Sequence, residues 1–342
     1  MMKKWHITPS IAVVCVLILL IIFGGWRYEG FLGVYNVQSV LRYVSMFAFV
    51  SLGMCFVIMT GGIDLSVGSV AAMSSVVAAF LSPYGLLPGL LGGIAAGFAA
   101  GLLNAFLITK MKILPFIATL ATMLAASGTG LLLAGNQSVS VSYDTAFTAL
   151  GQGDLLSFMR PAWVDAEGAG WLAQTLGFLL SFPTPGWMAL VAYIVGALVL
   201  AHTPFGRHVL AVGGGTDASR LMGLPVDRTI FSVYLLSGVC AGTAGVILAS
   251  QFGAGQPIEG IGWELFAIAS VVVGGTLLTG GRGSIGGTLT GALLLGLIYT
   301  ILNFENGLGW ISLSAYWQSV VRGAFLLLVV IIQSKFAKTA QG

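Results

Sequence analysis

Residues 60–69 have the sequence Thr-Gly-Gly-Ile-Asp-Leu-Ser-Val-Gly-Ser, a polar and glycine-rich break in an otherwise apolar region. The runs on either side, residues 37–59 and 70–81, are apolar enough to lie in lipid, and Asp64 is the only acidic residue in all three segments. A carboxylate at membrane depth is costly, and non-helical backbone there is tolerated only where protein or a water-filled cavity covers it. The segment therefore predicts a broken helix on a transport route.

The composition is that of a membrane protein. Of the 342 residues, 57% are hydrophobic and 7% are charged, whereas soluble domains carry about 25% charged residues. The apolar runs are long rather than alternating, which favours a polytopic α-helical bundle over a β-barrel. The 49 glycines suit helices that pack closely in lipid. The net charge of +3 is explained by inside loops, so we expect an all-α fold that binds no nucleic acid.

Ten hydrophobic runs are candidates for crossing the bilayer, which takes about 20 apolar residues per helix. They are residues 10–26, 37–60, 67–83, 87–109, 114–134, 186–203, 230–250, 264–279, 286–303 and 312–333. The third and eighth runs are short and flanked by glycine, so we expect either of them to be broken or re-entrant. We interpret residues 1–342 as a single transmembrane domain.

The positions of lysine and arginine set the orientation, because these residues accumulate in cytoplasmic loops. Basic residues precede the first span, follow the fourth, lie between the sixth and seventh, and follow the tenth; they are Lys3, Lys4, Lys110, Lys112, Arg207, Arg220, Arg228, Lys335 and Lys338. With ten spans and both termini in the cytoplasm, all of them fall inside. Most acidic residues then fall outside.

Two loops are long enough to carry structure of their own. Loop 204–229 is predicted inside and is the most basic. Loop 135–185 is predicted outside, and its residues 171–182 are apolar enough to lie along the membrane surface with tryptophans as anchors. A docking surface for an outside partner is the alternative for this segment.

A faint internal repeat points to a second break. Thr60-Gly-Gly followed by Ser66-Val-Gly compares with Thr279-Gly-Gly followed by Ser284-Ile-Gly, and each copy lies between apolar runs. Transporters often carry paired glycine breaks in two halves, and such breaks mark the substrate route. Simple glycine enrichment is the alternative explanation.

A short helix is predicted in the inside loop. Thr216 or Asp217 can cap its start, it continues through Leu221-Met222, and Gly223 can end it. With Arg220 exposed, such a helix is either a lever that another protein grips or a plain amphipathic connector.

The motifs of several enzyme classes are missing. The sequence contains no Walker-type GxxxxGK[ST], no HExxH, no GxSxG and no CxxC, and its three histidines are scattered. We therefore predict no catalytic residues, no metal site and no cofactor bound by this chain. It cannot hydrolyse a nucleotide with the usual phosphate loop.

Four motifs occur together and in order. They are Gly61-Gly-Ile-Asp-Leu-Ser-Val-Gly-Ser69, Pro115-Phe-Ile-Ala-Thr-Leu120, Ala211-Val-Gly-Gly214 with Ala218 and Leu221-Met-Gly223, and Val273-Gly-Gly-Thr-Leu-Leu-Thr-Gly-Gly281. On these motifs the chain resembles the permease subunits of bacterial ABC importers for monosaccharides. The likeness is to the ribose/galactose/xylose branch, nearest to galactofuranose-type permeases, and it covers nearly the whole chain.

The resemblance implies a multi-pass subunit of the bacterial inner membrane. It would form the pathway for a pentose or hexose, with galactofuranose among the candidates, together with a second identical or similar permease chain. Two cytoplasmic ATP-binding subunits would drive alternating access, and a periplasmic sugar-binding protein would deliver the sugar. ATP hydrolysis would then belong to the partners, so the chain is expected to be a transport subunit and not an enzyme. The resemblance favours the lever interpretation, because residues 213–223 match the family's coupling helix.

Two groups of residues are predicted to carry the function. The substrate pathway and helix breaks comprise Gly61, Gly62, Asp64, Ser66, Gly68, Asn104, Thr119, Gly280 and Gly281. The ATPase coupling group comprises Gly213, Gly214, Asp217, Ala218, Arg220, Leu221, Met222 and Gly223. The chain departs from the family pattern at Gly215, where asparagine is common, and at Phe266, where aspartate is common. The second departure removes an acid near the eighth span.

Asp64 has two interpretations. It could meet the substrate or pair with Arg282 across the two breaks. Alternatively, it could accept backbone N–H groups and cap the helix that begins near Ser66. The cap is favoured, because a fixed charge is an unusual aid to the passage of a neutral sugar.

Two rival functions follow from the same residues. A secondary sugar transporter driven by an ion gradient would share the broken helices and would use Asp64 as its coupling carboxylate. An intramembrane enzyme would need converging histidine, glutamate or nucleophile side chains, and the scattered histidines do not provide them.

Overall fold

The computed structural model describes residues 9–161, 164, 170–308 and the single positions 317, 320, 323, 324 and 327. Its helices are α1 (Pro9–Arg27), α2 (Val34–Met59), α3 (Val67–Leu81), α4 (Leu86–Thr109), α5 (Pro115–Ala134), α6 (Ala149–Gln152), α7 (Trp171–Leu180), α8 (Thr184–His202), α9 (Pro204–Gly214), α10 (Thr216–Leu221), α11 (Val226–Phe252), α12 (Trp263–Val273) and α13 (Ile285–Leu308). Two short strands, β1 (Val139–Ser140) and β2 (Ala254–Gly255), pair antiparallel.

The predicted spans agree with these helices. Nine of them coincide with a described helix, and the tenth, 312–333, lies largely outside the described residues. In the described part, seven helices are long and apolar enough to cross a membrane: α2, α3 with the turn that follows it, α4, α5, α8, α11 and α13. The all-α polytopic bundle is confirmed, while the count of ten spans and the cytoplasmic placement of both termini stay predictions.

The centre of the bundle is α11, which packs against α2, α3 and α4. Glycines bring α4 and α11 together: a Cβ on Gly97 would stand 2.6 Å from the Cα of Gly242, and a Cβ on Gly101 would stand 3.0 Å from the Cα of Gly238. Lipid supplies no hydrophobic force between helices, so close packing through small residues holds them.

Both predicted breaks are non-helical. Residues 60–66 separate α2 from α3, and residues 274–284 separate α12 from α13. Gly61 and Gly275 have φ values of +81° and +93°, in the left-handed region that favours glycine. The eighth predicted span was therefore too long at its end, because the turn at Gly275 stops α12 at Val273.

The connection from α11 to α12 re-enters the bundle. Gly255 lies against α3, and further along Gly260 packs so tightly on Gly68 that a Cβ on either residue would overlap the carbonyl oxygen of the other. α12 then begins at Trp263, whose ring lies 4.7 Å from that of Phe47 in the middle of α2. α12 is thus a short helix that starts inside the bundle, and the broken or re-entrant character of the eighth span within the membrane stays a prediction.

The outside loop, residues 135–185, is folded against the bundle. Pairing of β1 with β2 joins it to the end of α11, and Phe147 is fully buried beneath it. Arg42 of α2 forms an ion pair with Asp154 at 2.7 Å. Within the loop, α7 exposes Trp171, and its predicted position along the membrane surface or against a partner stays a prediction.

Candidate functional site

Asp64 is buried in the first break, with 1% of its surface exposed. Its Oδ1 accepts hydrogen bonds from the Ser66 backbone N–H at 3.0 Å and the Ser66 hydroxyl at 2.6 Å, and its Oδ2 accepts one from the Ser237 hydroxyl at 2.8 Å. The carboxylate also lies at the start of α3, where the positive end of the helix dipole favours negative charge. Asp64 therefore holds the turn that leads into α3, while Ser66 occupies the N-cap position itself.

The alternative pairing of Asp64 with Arg282 is wrong. Arg282 is exposed, and the partners of Asp64 among the described residues are two serines rather than a basic side chain. The favoured cap interpretation agrees with the geometry only in part, because the backbone N–H that the carboxylate accepts belongs to Ser66, the N-cap residue, and not to the first turn of α3.

A second layer of polar groups surrounds this carboxylate. Asn104 is almost fully buried, and its Nδ2 donates to the Ser66 hydroxyl oxygen at 2.9 Å. The Tyr234 hydroxyl lies against Gly62, where a Cβ would overlap it. Asn104 Oδ1 and the Tyr234 hydroxyl are buried without a hydrogen-bond partner among the described residues. An unpaired buried group costs about 1–3 kcal/mol. These two atoms at the first break can therefore still take part in hydrogen bonds that the described residues do not supply.

Thr119 joins α5 to the first break. It is fully buried, and its hydroxyl donates to the Pro115 carbonyl oxygen at 2.9 Å and, more weakly, to the Ile63 carbonyl oxygen at 3.4 Å. Side-chain bonding to the preceding turn is usual for threonine in a helix. The structure thus gathers around one break most of the predicted pathway residues: Gly61, Gly62, Asp64, Ser66, Gly68, Asn104 and Thr119.

The second break has a buried cluster of its own. Thr276 Oγ1 accepts the Ser284 backbone N–H at 3.2 Å, and Ser284 Oγ accepts the Gly287 N–H at 3.0 Å at the start of α13. Cys55 of α2 accepts a hydrogen bond from the Thr288 hydroxyl at 3.1 Å. Side-chain hydrogen bonds therefore hold the first turn of α13 after the second break, whereas after the first break Asp64 holds the N-cap residue Ser66 of α3.

The two breaks and the inside loop meet at a glycine junction, formed by Gly61, Gly213, Gly280 and Gly281 around the Met59 carbonyl oxygen. The Gly281 N–H donates to that oxygen at 3.0 Å, and a Cβ on Gly213 would overlap the same atom. A Cβ on Gly280 would stand 2.9 Å from the Gly61 nitrogen and 3.1 Å from the Gly213 Cα. Residues predicted as two separate groups, pathway and coupling, thus touch through their backbones.

The inside loop folds as α9, α10 and the start of α11. α10 spans Thr216–Leu221, and Gly223, with φ +78°, follows its end as predicted. The predicted side-chain cap by Thr216 or Asp217 is wrong, because Gly215 holds the N-cap position without one. The Ser219 N–H bonds to the Gly215 carbonyl oxygen at 2.9 Å, so backbone bonding alone begins the helix.

α10 is held to α9 by a partly buried hydrogen bond, and it ends in exposed apolar side chains. The buried Ser219 donates from its hydroxyl to the Ala211 carbonyl oxygen at 2.9 Å, which fastens α10 to α9. At the other side, Leu221 is 90% exposed and Met222 is 68% exposed. Two further members of the coupling group, Asp217 and Ala218, are also exposed.

An ion-pair bridge ties α10 to the loop between α4 and α5. Asp227 Oδ1 contacts Arg220 at 2.9 Å, and its Oδ2 contacts Lys112 Nζ at 2.7 Å. All three side chains are about half exposed, and exposed pairs of this kind contribute little stability. The bridge orients the surface more than it holds the fold.

Sequence reasoning left out several of these partners. Ser237 and Tyr234 lie on α11, far along the chain from Asp64 and Gly62, and no local pattern pairs them. For Lys112 and Asp227 a signal exists, since they carry opposite charges at two loops predicted on the same side of the membrane.

Comparison with known proteins gives the family. Residues 36–330 match the family described as branched-chain amino acid transport system / permease component. The chain is 37% identical to the ribose import permease protein RbsC of Bacillus subtilis (strain 168), over 93% of this chain and 91% of that protein. It is 35% identical to RbsC of Escherichia coli (strain K12), over 97% and 95%. It is 37% identical to the L-arabinose transport system permease protein AraH of the same strain, over 86% and 81%. No solved structure matches the chain.

Proposed function

This chain belongs to the branched-chain amino acid transport system / permease component family, and on that premise we propose how it works as the permease subunit of a binding-protein-dependent sugar importer. It is a multi-pass transport subunit and not an enzyme. Importers of this class work with ATP-binding subunits and a periplasmic binding protein. In the proposed assembly, two permease chains in the bacterial inner membrane pair with two ATP-binding subunits.

The glycine junction is the observation that carries the proposal. α10 is fastened to α9 by Ser219, and α9 ends at Gly213-Gly214, whose backbone lies against Met59 and Gly281. When ATP-binding subunits move α10, the displacement reaches both breaks through one contact. The helices after the breaks then rock, and access alternates between the two sides of the membrane.

The proposed cargo is a neutral monosaccharide, a pentose or a hexose. The relatives are named for ribose and L-arabinose, and galactofuranose is a further candidate from the sequence motifs. Both oxygens of Asp64 are occupied by serine donors, so the first break offers no free charge. Its unused groups, Asn104 Oδ1 and the Tyr234 hydroxyl, suit hydroxyl groups better than ions.

Reconstitution tests this function against the ion-driven alternative. The permease is placed in liposomes with its ATP-binding subunits and binding protein, and uptake of labelled D-ribose and L-arabinose is measured. We expect uptake that needs ATP, stops with vanadate and survives an ionophore. Uptake that continues without the ATP-binding subunits and collapses with the ionophore would establish the secondary transporter instead.

A further inference from the structure

We propose that the re-entrant turn, residues 260–265, lines the sugar route at the middle of the membrane and that the Glu264 carboxylate contacts the passing sugar. This inference rests on the proposed transport function and extends it. Glu264 lies outside the predicted pathway group, which was centred on the two glycine breaks.

Two contacts fix the position of the re-entrant turn within the bundle. Gly260 packs on Gly68, the second residue of α3, so it lies about 20 Å from the far end of that helix at 1.5 Å per residue. The Trp263 ring lies 4.7 Å, centroid to centroid, from the ring of Phe47, near the centre of the 26-residue α2. Since α2 is long enough to cross the hydrocarbon core, which is about 30 Å thick, the contact with Phe47 near its centre puts the turn near the middle of the membrane.

One side of the turn is open. Ile261 and Leu265 are 75% and 51% exposed, Glu264 is only partly buried, and Gly262 has a left-handed φ of +86°. Irregular backbone at this depth does not face lipid, because lipid cannot satisfy its polar groups. A carboxylate facing lipid at this depth is also costly. Protein or a water-filled cavity must therefore cover the open side, and because a carboxylate with no basic partner in the described ranges lies there, we assign that side to the water-filled route rather than to the second permease chain.

Two helices begin beside Glu264, and their N-termini offset part of the cost of burying its charge. The residue lies in the first turn of α12, and its Oε2 is close to the start of α3, where a Cβ on Gly68 would stand 3.0 Å away. Two helix N-termini thus converge on one carboxylate and stabilise negative charge there. In the described part of the chain, no lysine or arginine forms an ion pair with it.

A fixed charge is an unusual feature on the route of a neutral sugar, but an open carboxylate can still contact the sugar's hydroxyl groups. Each of its oxygens can accept hydrogen bonds from sugar hydroxyls, and such charge-assisted bonds are stronger than neutral ones. Ile261 and Leu265 beside it offer apolar contact to the C–H faces of the ring. A single anionic acceptor among apolar side chains orients a neutral ligand without holding it tightly.

Cysteine accessibility tests the position of the turn. In a Cys15→Ser background, Glu264→Cys and Ile261→Cys are treated with a membrane-impermeant, charged thiol reagent in cells that make the full importer. Ile194→Cys is the control, because Ile194 is 51% exposed near the middle of α8, a regular helix long and apolar enough to cross the membrane. We expect both turn positions to react and the α8 position to stay unreactive. Turn positions as unreactive as Ile194→Cys would overturn the proposal.

Uptake tests the sugar contact. Losing a hydrogen bond to a charged acceptor weakens binding about tenfold or more, so Glu264→Gln should raise the KM for D-ribose or L-arabinose uptake by about that factor. Asp144→Asn, at an exposed acid of the outside loop, should leave KM unchanged. Equal KM values for the two variants would remove Glu264 from the sugar contact. If the unmodified importer carries neither sugar, the proposed cargo fails, while the labelling pattern still decides whether the turn lines an aqueous route.

Discussion

Asparagine at position 64 would keep one acceptor oxygen while removing the charge. The Ser66 N–H could still be bonded, so we expect Asp64→Asn to assemble normally and to retain most sugar uptake. Asp64→Ala instead leaves the buried donors of Ser66 and Ser237 without their acceptor, at a cost of about 2–4 kcal/mol in the free energy of unfolding. Thermal unfolding of the purified permease and uptake in cells measure the two effects.

The comparison between the two variants separates a structural carboxylate from a functional one. Asp64→Ala should unfold at a clearly lower temperature than the unmodified chain, and Asp64→Asn close to it. If Asp64→Asn is made and assembled normally but carries no sugar, the negative charge itself is needed for transport and the capping account is wrong.

At this scale the sequence predicts local contacts and misses distant ones. The bond from Ser66 to Asp64 spans two residues, so a capping pattern reveals it. Ser237, which completes the site, lies 173 residues away, and nothing in a single sequence selects it among the other polar positions of the apolar runs. The same limit applies to Tyr234 beside Gly62.

Among the elements, α10 carries the clearest contact surface. Leu221 is 90% exposed at its end, and an exposed apolar residue on a fixed base is the usual form of an interface anchor. We expect Leu221→Asp to weaken binding of the ATP-binding subunits about 30-fold or more, which corresponds to about 2 kcal/mol. Co-purification of the subunits with the tagged permease measures this loss.

Leu172→Asp is the matched control for this experiment. Leu172 is 64% exposed on α7, in the loop predicted on the opposite side of the membrane, so the same change of charge there should leave the co-purified amount unchanged. Asp227→Asn tests the ion-pair bridge separately and should have only a small effect, since the pairs are exposed. Full binding by Leu221→Asp would show that α10 is a plain connector.

Helix positions follow from hydrophobic runs, and the exceptions have physical causes. Long apolar runs gave α2, α4, α5 and α8 nearly at their observed bounds, because a spanning helix must be apolar throughout. The chain from α11 to α12 lacks such a signal, since it consists mainly of turns and is held by backbone packing of Gly255 and Gly260 on α3. The cap of α10 was misjudged because backbone bonds at Gly215 replace the side chain.

In the whole molecule, the glycine junction connects α9 and α10, where the ATP-binding subunits are proposed to bind, with the two breaks on the proposed transport route. The two breaks and the end of α9 are far apart in sequence, so their meeting could not be predicted from motif spacing. It explains why glycine pairs recur in these three segments. At Gly213 the missing side chain leaves room for the Met59 carbonyl oxygen. Gly280 and Gly281 have left-handed φ values of +82° and +75°, which favour glycine.

Neighbouring glycines at the end of α9 allow the junction to be tested by one added methyl group. A Cβ on Gly213 would overlap the Met59 carbonyl oxygen, whereas a Cβ on Gly214 would meet nothing within 4 Å. Inserting a group into a packed site costs about 1–3 kcal/mol and shifts the backbone. Both variants should still bind the ATP-binding subunits, because α10 itself is unchanged.

The most direct measurement is ATP-driven uptake of labelled D-ribose and L-arabinose by the reconstituted importer carrying Gly213→Ala or Gly214→Ala, with ATP hydrolysis followed in the same liposomes. We predict that Gly213→Ala loses most uptake per ATP hydrolysed while the complex stays assembled, and that Gly214→Ala matches the unmodified importer. Equal uptake per ATP in the two variants would contradict transmission through the glycine junction.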